Sequence, residues 1–112
     1  MADIAEIAAR LDAAARDARA IPQITGQEGE LSLANAYDIQ CAVIDHRLAR
    51  GAALVGVKMG FTSEAKMVQM GLKDQIWGRL TSDMVVPNGG VLDRTRFIHP
   101  RVEPEVAVRL KA

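Results

Sequence analysis

The sequence predicts an α+β chain in which two N-terminal helices precede the first strands of a mixed β core. Three observations predict this. Apolar residues recur every three to four positions over residues 3 to 20 and again from Leu33 to Leu48. After Gly51 that period disappears and a short run rich in β-branched residues takes over. Near the C-terminus, apolar and polar residues alternate one by one.

Ile4, Ile7, Ala8, Leu11, Ala14, Ala15 and Ala18 form the apolar stripe of the first helix, with Glu6, Arg10, Arg16 and Asp17 largely off it. Pro22 is expected to end this helix, because proline disfavours a helical conformation in the residue before it. Gln23 to Glu30, with Gly26 and Gly29, reads as a loop. Ser32 is placed to cap a second helix and Gly51 to close it in a left-handed conformation. The expected buried ladder is Leu33, Tyr37, Cys41, Ile44 and Leu48, with Cys41 as a small buried apolar residue. Ala53 to Met59 reads as a buried strand bounded by glycines. Ser63 can cap a short helix through Met70, closed by Gly71. Residues 72 to 83 read as an irregular loop around Trp77. Strand-like pieces are expected at Met84–Val86, around Val91–Leu92, and from Arg101 to Leu110, with a turn at Pro87–Gly90 between the first two. The last alternation is still running at Lys111–Ala112, so the chain is expected to be the beginning of a longer one. Residues 1–52 would form a helical segment and 53–112 the start of a β-rich domain.

Composition narrows the functional classes. The 112 residues carry 14 basic and 14 acidic side chains, so there is no basic surplus of the kind nucleic-acid binding requires. Aromatic residues are 4% of the chain, too few for base-stacking platforms to be its main device. One cysteine allows no disulfide framework within the chain and fits a reducing cytoplasm. The acidic N-terminus has no signal-peptide pattern, and the longest mostly apolar uncharged run, Gly51 to Val57, is far short of a membrane span. A compact protein of this mass keeps about 6,000 of about 17,500 Å² exposed. The glycines match no phosphate-cradling pattern, and no Ser/His/Asp or Cys/His constellation is evident.

The chemistry concentrates in His99–Val108. On a strand, Glu103 and Glu105 share one face, about 7 Å apart, and Val102, Pro104, Val106 and Val108 form the other. Two such carboxylates can converge on a hard divalent cation. A solvated acidic face is the simpler reading of the same spacing. Pro104, lacking an N–H, places this strand at an edge or a bulge. Lys58 sits near the end of an otherwise apolar strand, where it can have a lowered pKa, can stabilise a developing anion, or can pack its stem and extend its ammonium to the surface. Thr62 and Ser63 can bind a carboxylate, or Ser63 can simply cap a helix. His46 is expected to be exposed, and His99 has no evident partner. Met59, Met67, Met70 and Met84 read as packing residues.

Taken together, Gly56-Val57-Lys58-Met59-Gly60-Phe61-Thr62-Ser63, Ile76-Trp77-Gly78-Arg79-Leu80 and His99 through Val108 resemble the 2-hydroxypentadienoate hydratase/4-oxalocrotonate decarboxylase family, within the fumarylacetoacetate hydrolase superfamily. Ala36-Tyr37-Asp38-Ile39-Gln40 fits the same resemblance. It implies a β-rich catalytic core that continues beyond this chain, in proteins about twice as long. It also implies Mg²⁺ or Mn²⁺ held by Glu103, Glu105 and a third carboxylate further along. Hydratases of the family carry Pro-Asp-Phe-Gly after the short helix, where Gln75-Ile76-Trp77-Gly78 stands here. An isoleucine cannot move a proton, so the resemblance points to the decarboxylase branch, acting on a 2-oxo dicarboxylate such as 2-oxo-3-hexenedioate. A hydratase of the same family, or a non-catalytic assembly partner, is the alternative. In the implied scheme the substrate chelates the metal through its C1 carboxylate and 2-oxo group, and loss of CO₂ leaves a dienolate. Lys58 stabilises charge there, while Thr62, Ser63 and Ile76 contact the substrate. The resemblance further implies an oligomer and a complex with a homologous hydratase, with no nucleic-acid or membrane partner.

Overall fold

The structure is a computed structural model and describes residues 3–27, 29–60, 62–71 and 75–111. Helix α1 spans Ile4–Arg16 and is capped by Asp3, whose carboxylate accepts the Glu6 N–H at 3.1 Å. It ends well before Pro22. Ala18 takes a φ of 51°, and its N–H and that of Arg19 return to the carbonyls of Ala15 and Ala14. This is a Schellman closure built on alanine instead of glycine. Such a stop leaves no conspicuous mark in the sequence.

Helix α2 spans Leu33–Ala49. Ser32 and Asn35 form a reciprocal capping box, with the Asn35 N–H donating to Ser32 Oγ at 3.0 Å and the Ser32 N–H to Asn35 Oδ1 at 3.2 Å. Gly51, with φ at 101°, closes the other end as expected. Replacing Ser32 by alanine is expected to cost about 1 kcal/mol, measurable by urea denaturation. The buried residues of α2 are Ile39 and Ile44, so of the expected ladder only Ile44 is fully buried. Leu33 is exposed, and Tyr37, Cys41 and Leu48 are half-buried. The difference arises because α2 serves two neighbours. One side packs on α1 around Ile7, Ala8 and Ile39, and the other meets the sheet.

The sheet has two antiparallel strands among the described residues, β1 (Leu54–Gly60) and β2 (Ile76–Thr81). Strand β2 lies within the stretch expected to be an irregular loop, and residues 72–74 of that stretch lie outside the described residues. Its register pairs Val57 with Arg79, Lys58 with Gly78, Met59 with Trp77 and Gly60 with Ile76, with an irregularity between Leu54 and Gly56. Strand β1 is exposed rather than buried: Leu54, Val55, Val57 and Met59 are all open to solvent, as nothing among the described residues covers them. Between the strands, helix α3 (Glu64–Gln69) is capped by Ser63, whose Oγ accepts the Lys66 N–H at 3.2 Å, and Gly71 follows with φ at 69°.

No strand forms at Met84–Val86, at Val91–Leu92 or at Arg101–Leu110. Short 3₁₀ turns occupy Ser82–Met84 and Arg94–Arg96, and Pro87–Gly90 makes the expected turn, with the Gly90 N–H donating to the Pro87 carbonyl at 2.8 Å. Over residues 101–111 the backbone has no ladder partner among the described residues, and Val102 and Val106 are 96% and 95% exposed. Alternation specifies which side chains share a face; a strand also requires a neighbour for its backbone groups. The total accessible surface is 9350 Å², well above the value of about 6,000 Å² for a compact protein of this mass. No helix among the described residues is long and apolar enough to cross a membrane.

Candidate active site

Side chains on adjacent strands alternate between faces, so the register sorts the candidates. Lys58, Gly60, Ile76 and Gly78 share one face of the β1–β2 ribbon; Met59, Trp77 and Arg79 share the other. The second face meets α2. There the Trp77 ring stacks on Tyr37 at 5.2 Å between centroids, and the Arg79 guanidinium lies 5.1 Å from the centre of the Trp77 ring and donates to Cys41 Sγ.

Helix α2 also satisfies the outer edge of β2. Gln40 Nε2 donates to the Trp77 carbonyl at 3.2 Å, the Arg79 N–H donates to Gln40 Oε1 at 3.0 Å, and the Trp77 N–H donates to the Tyr37 hydroxyl at 3.3 Å. Two side chains one helical turn apart thus do the work of a third strand. Sequence reasoning treated Tyr37 as a core residue and gave Gln40 no structural role. Their spacing of three residues was the available signal, but it acquires meaning only once β2 is known to lie alongside.

On the first face, Lys58 Nζ lies 2.8 Å from Glu105 Oε1 and 3.7 Å from Glu103 Oε2. The three expected charged residues are therefore brought together, with Ile76 on the same face as Lys58. Lys58 is half-exposed rather than buried. Its pKa is raised, first by the hydrogen bond to Glu105, which in turn holds the Glu105 carboxyl below its ordinary value. Of the readings open for Lys58, a lowered pKa is overturned, because the paired carboxylates outweigh desolvation, and an ammonium that reaches the surface fits its exposure. Thr62 and Ser63 follow the end of β1 and are exposed. The Ser63 oxygen accepts the Lys66 N–H as a helix cap, which leaves its O–H free to donate. His46 is half-buried on α2 instead of exposed, and His99 is exposed with φ at 48°.

Glu103 and Glu105 converge on a single positive charge, and both present hard oxygen donors of the kind magnesium and manganese prefer. That arrangement fits part of a divalent-cation site. Among the described residues no group of three or more His, Cys, Asp or Glu side chains could hold an ion, so the pair supplies only some of the ligands a complete site needs.

No family model matches the chain. It is 54% identical over 107 residues to a 4-oxalocrotonate decarboxylase from Pseudomonas sp, a match that covers 96% of this chain and 41% of that protein. A 2-keto-4-pentenoate hydratase from Dechloromonas aromatica strain RCB is more distant, at 38% identity over 92% of this chain and 39% of its own length. Among solved structures, 4-oxalocrotonate decarboxylase from Pseudomonas putida G7, complexed with magnesium and adipate, superposes with a TM-score of 0.81 at 38% identity. That match covers 86% of this chain and 36% of the other. The chain thus spans about two-fifths of the length of the curated relatives it matches.

Proposed function

Because the chain belongs, over the segment it spans, to the family of 4-oxalocrotonate decarboxylases and 2-hydroxypentadienoate hydratases, we propose that it is part of a decarboxylase. Its complete polypeptide would convert 2-oxo-3-hexenedioate to 2-hydroxypenta-2,4-dienoate and CO₂ in the meta-cleavage degradation of aromatic compounds. The observation that carries this reading is the convergence of Glu103 and Glu105 on Lys58, on the sheet face that also holds Ile76. The greater identity to decarboxylases than to hydratases favours the same branch.

In this reading Glu103 and Glu105 hold Mg²⁺ or Mn²⁺ together with a third carboxylate outside the 112 residues. When bound, such a cation supplies Lewis-acid polarisation of a substrate oxygen. The relative solved with magnesium and adipate supports both the metal and a six-carbon dicarboxylate as the ligand class. Lys58 offsets negative charge beside the carboxylates and at the developing enolate. Thr62 and Ser63 orient a substrate carboxylate through their hydroxyls. Ile76 keeps a proton-transferring group out of the position it occupies and leaves that side of the pocket dry.

The same reading divides the chain at residues 52 and 53, into a helical segment and the start of a catalytic domain of the fumarylacetoacetate hydrolase type. It places the protein in the cytoplasm, as an oligomer associated with a homologous hydratase, and regards these 112 residues alone as inactive. The test is CO₂ release from 2-oxo-3-hexenedioate by the complete polypeptide with Mg²⁺, assayed beside water addition to 2-hydroxypenta-2,4-dienoate. CO₂ release without hydration is expected. Hydration alone would assign the hydratase branch, and neither reaction would favour an assembly role.

A further inference from the structure

We infer that Gly78 determines which substrates the site accepts, by leaving bare backbone beside Lys58 where the carbon chain of the ligand passes. The inference rests on the reading that this face binds a small 2-oxo dicarboxylate, and it names the residue that limits the width of that ligand. Three glycines lie in the β1–β2 ribbon, and two have evident structural reasons. Gly56 borders the irregularity in the register, and a Cβ at Gly60 would sit 2.9 Å from Ile76 Cγ1. Gly78 has neither reason. Its φ is not in the left-handed region, it faces no irregularity, and a Cβ there would meet only Gln40 Oε1, at an ordinary 3.8 Å.

Looseness is not the reason either. The peptide groups flanking Gly78 are both held by the Gln40 amide, through the Trp77 carbonyl and the Arg79 N–H. A glycine inside a strand weakens it relative to alanine, and where no turn or bulge requires one, it marks a close approach by a ligand or another backbone. Gly78 lies directly across from Lys58 on the shared face. Cross-strand neighbours there have Cβ positions about 5 Å apart, so any side chain at 78 would project alongside the lysine stem. A flat, conjugated anion drawn to Lys58 has room over the bare backbone at 78, and a branched side chain would occupy that room.

The test is calorimetric titration of 2-oxoadipate, a saturated six-carbon 2-oxo dicarboxylate, into the complete Mg²⁺-loaded polypeptide and its Gly78→Ala and Gly78→Val variants. Binding is expected to weaken about tenfold for alanine and further for valine, as for a methyl group added to a fitted pocket. The thermal midpoint of Gly78→Ala should equal or exceed that of the unsubstituted protein. Unchanged binding in folded variants overturns the inference. So does a joint fall in affinity and thermal midpoint for the alanine variant, since that is the mark of a purely structural glycine. If valine prevents folding, the alanine variant decides alone. Weakened binding in variants of a protein that releases no CO₂ would leave Gly78 as inferred and remove the decarboxylase reading. Failure of the unsubstituted protein to bind 2-oxoadipate would overturn both.

Discussion

Replacing Glu103 or Glu105 by glutamine in the complete polypeptide is expected to lower magnesium-dependent decarboxylation at least about 100-fold. Each substitution keeps the size of the side chain and removes one charged oxygen donor. The remaining carboxylate still has Lys58 as a partner, since both acids lie within 4 Å of its ammonium, so local folding should survive. The loss should therefore appear as weaker magnesium affinity together with slower CO₂ release, at an unchanged thermal midpoint. Both acids share one face by spacing, and both contact Lys58. A variant with unaltered magnesium affinity and turnover would show that its acid belongs to a solvated face and does nothing more.

Removing the carboxylate of Asp12 is the second large effect. Asp12 is only 4% exposed on α1, and both its oxygens are used: Arg50 Nη1 donates to Oδ2 at 2.6 Å and Nη2 to Oδ1 at 2.8 Å. This two-pronged pair fastens the C-terminal half of α1 to the end of α2. Asp12→Ala is expected to lower the stability of the helical pair by about 2 kcal/mol at neutral pH, read by urea denaturation. The pH dependence follows from the same contact. The hydrogen bond from Arg50 holds the Asp12 carboxyl below its ordinary 3.8. The unfolded chain therefore takes up the proton first as pH falls. The stabilisation is complete above about pH 4 and disappears as pH drops through the folded value. The difference between the unsubstituted protein and Asp12→Ala should shrink along that descent. A constant difference down to pH 2 would show that the charge of Asp12 is not what stabilises the pair.

What could be read from the sequence was local chemistry. Ser32, Gly51, Ser63 and Gly71 mark helix ends because a cap or a left-handed residue acts within one turn of itself. The turn at Pro87–Gly90 is local in the same sense. Apart from the end of α1, which a local closure at Ala18 sets, the errors involve partners far away in the chain. Trp77-Gly78-Arg79-Leu80 has no clean alternation, and β2 exists because β1 and α2 hold it on both sides. Asp12 lies on a buried helix face, and the partner that accounts for it, Arg50, is 38 residues away. Residues 101–110 show the reverse error, since their alternation is plain but no neighbouring strand pairs with them among the described residues. Lys58 is surrounded by apolar residues in sequence, so its true partners could not be read there. Its surroundings in space are two carboxylates.

The manner in which α2 covers β2 has a bearing on self-association. Gln40 and Tyr37 occupy the outward-facing peptide groups of Trp77 and Arg79. Their register partners Met59 and Val57 turn their own peptide groups to the opposite side of the ribbon, where no strand among the described residues lies. Exposed edges are where aggregation begins, and among the described residues this ribbon has one. Two copies meeting along β1 would form four strands whose outer margins are both blocked by helix side chains. Edge-to-edge association would then terminate at a closed pair, whereas a ribbon open on both sides could propagate into a fibre.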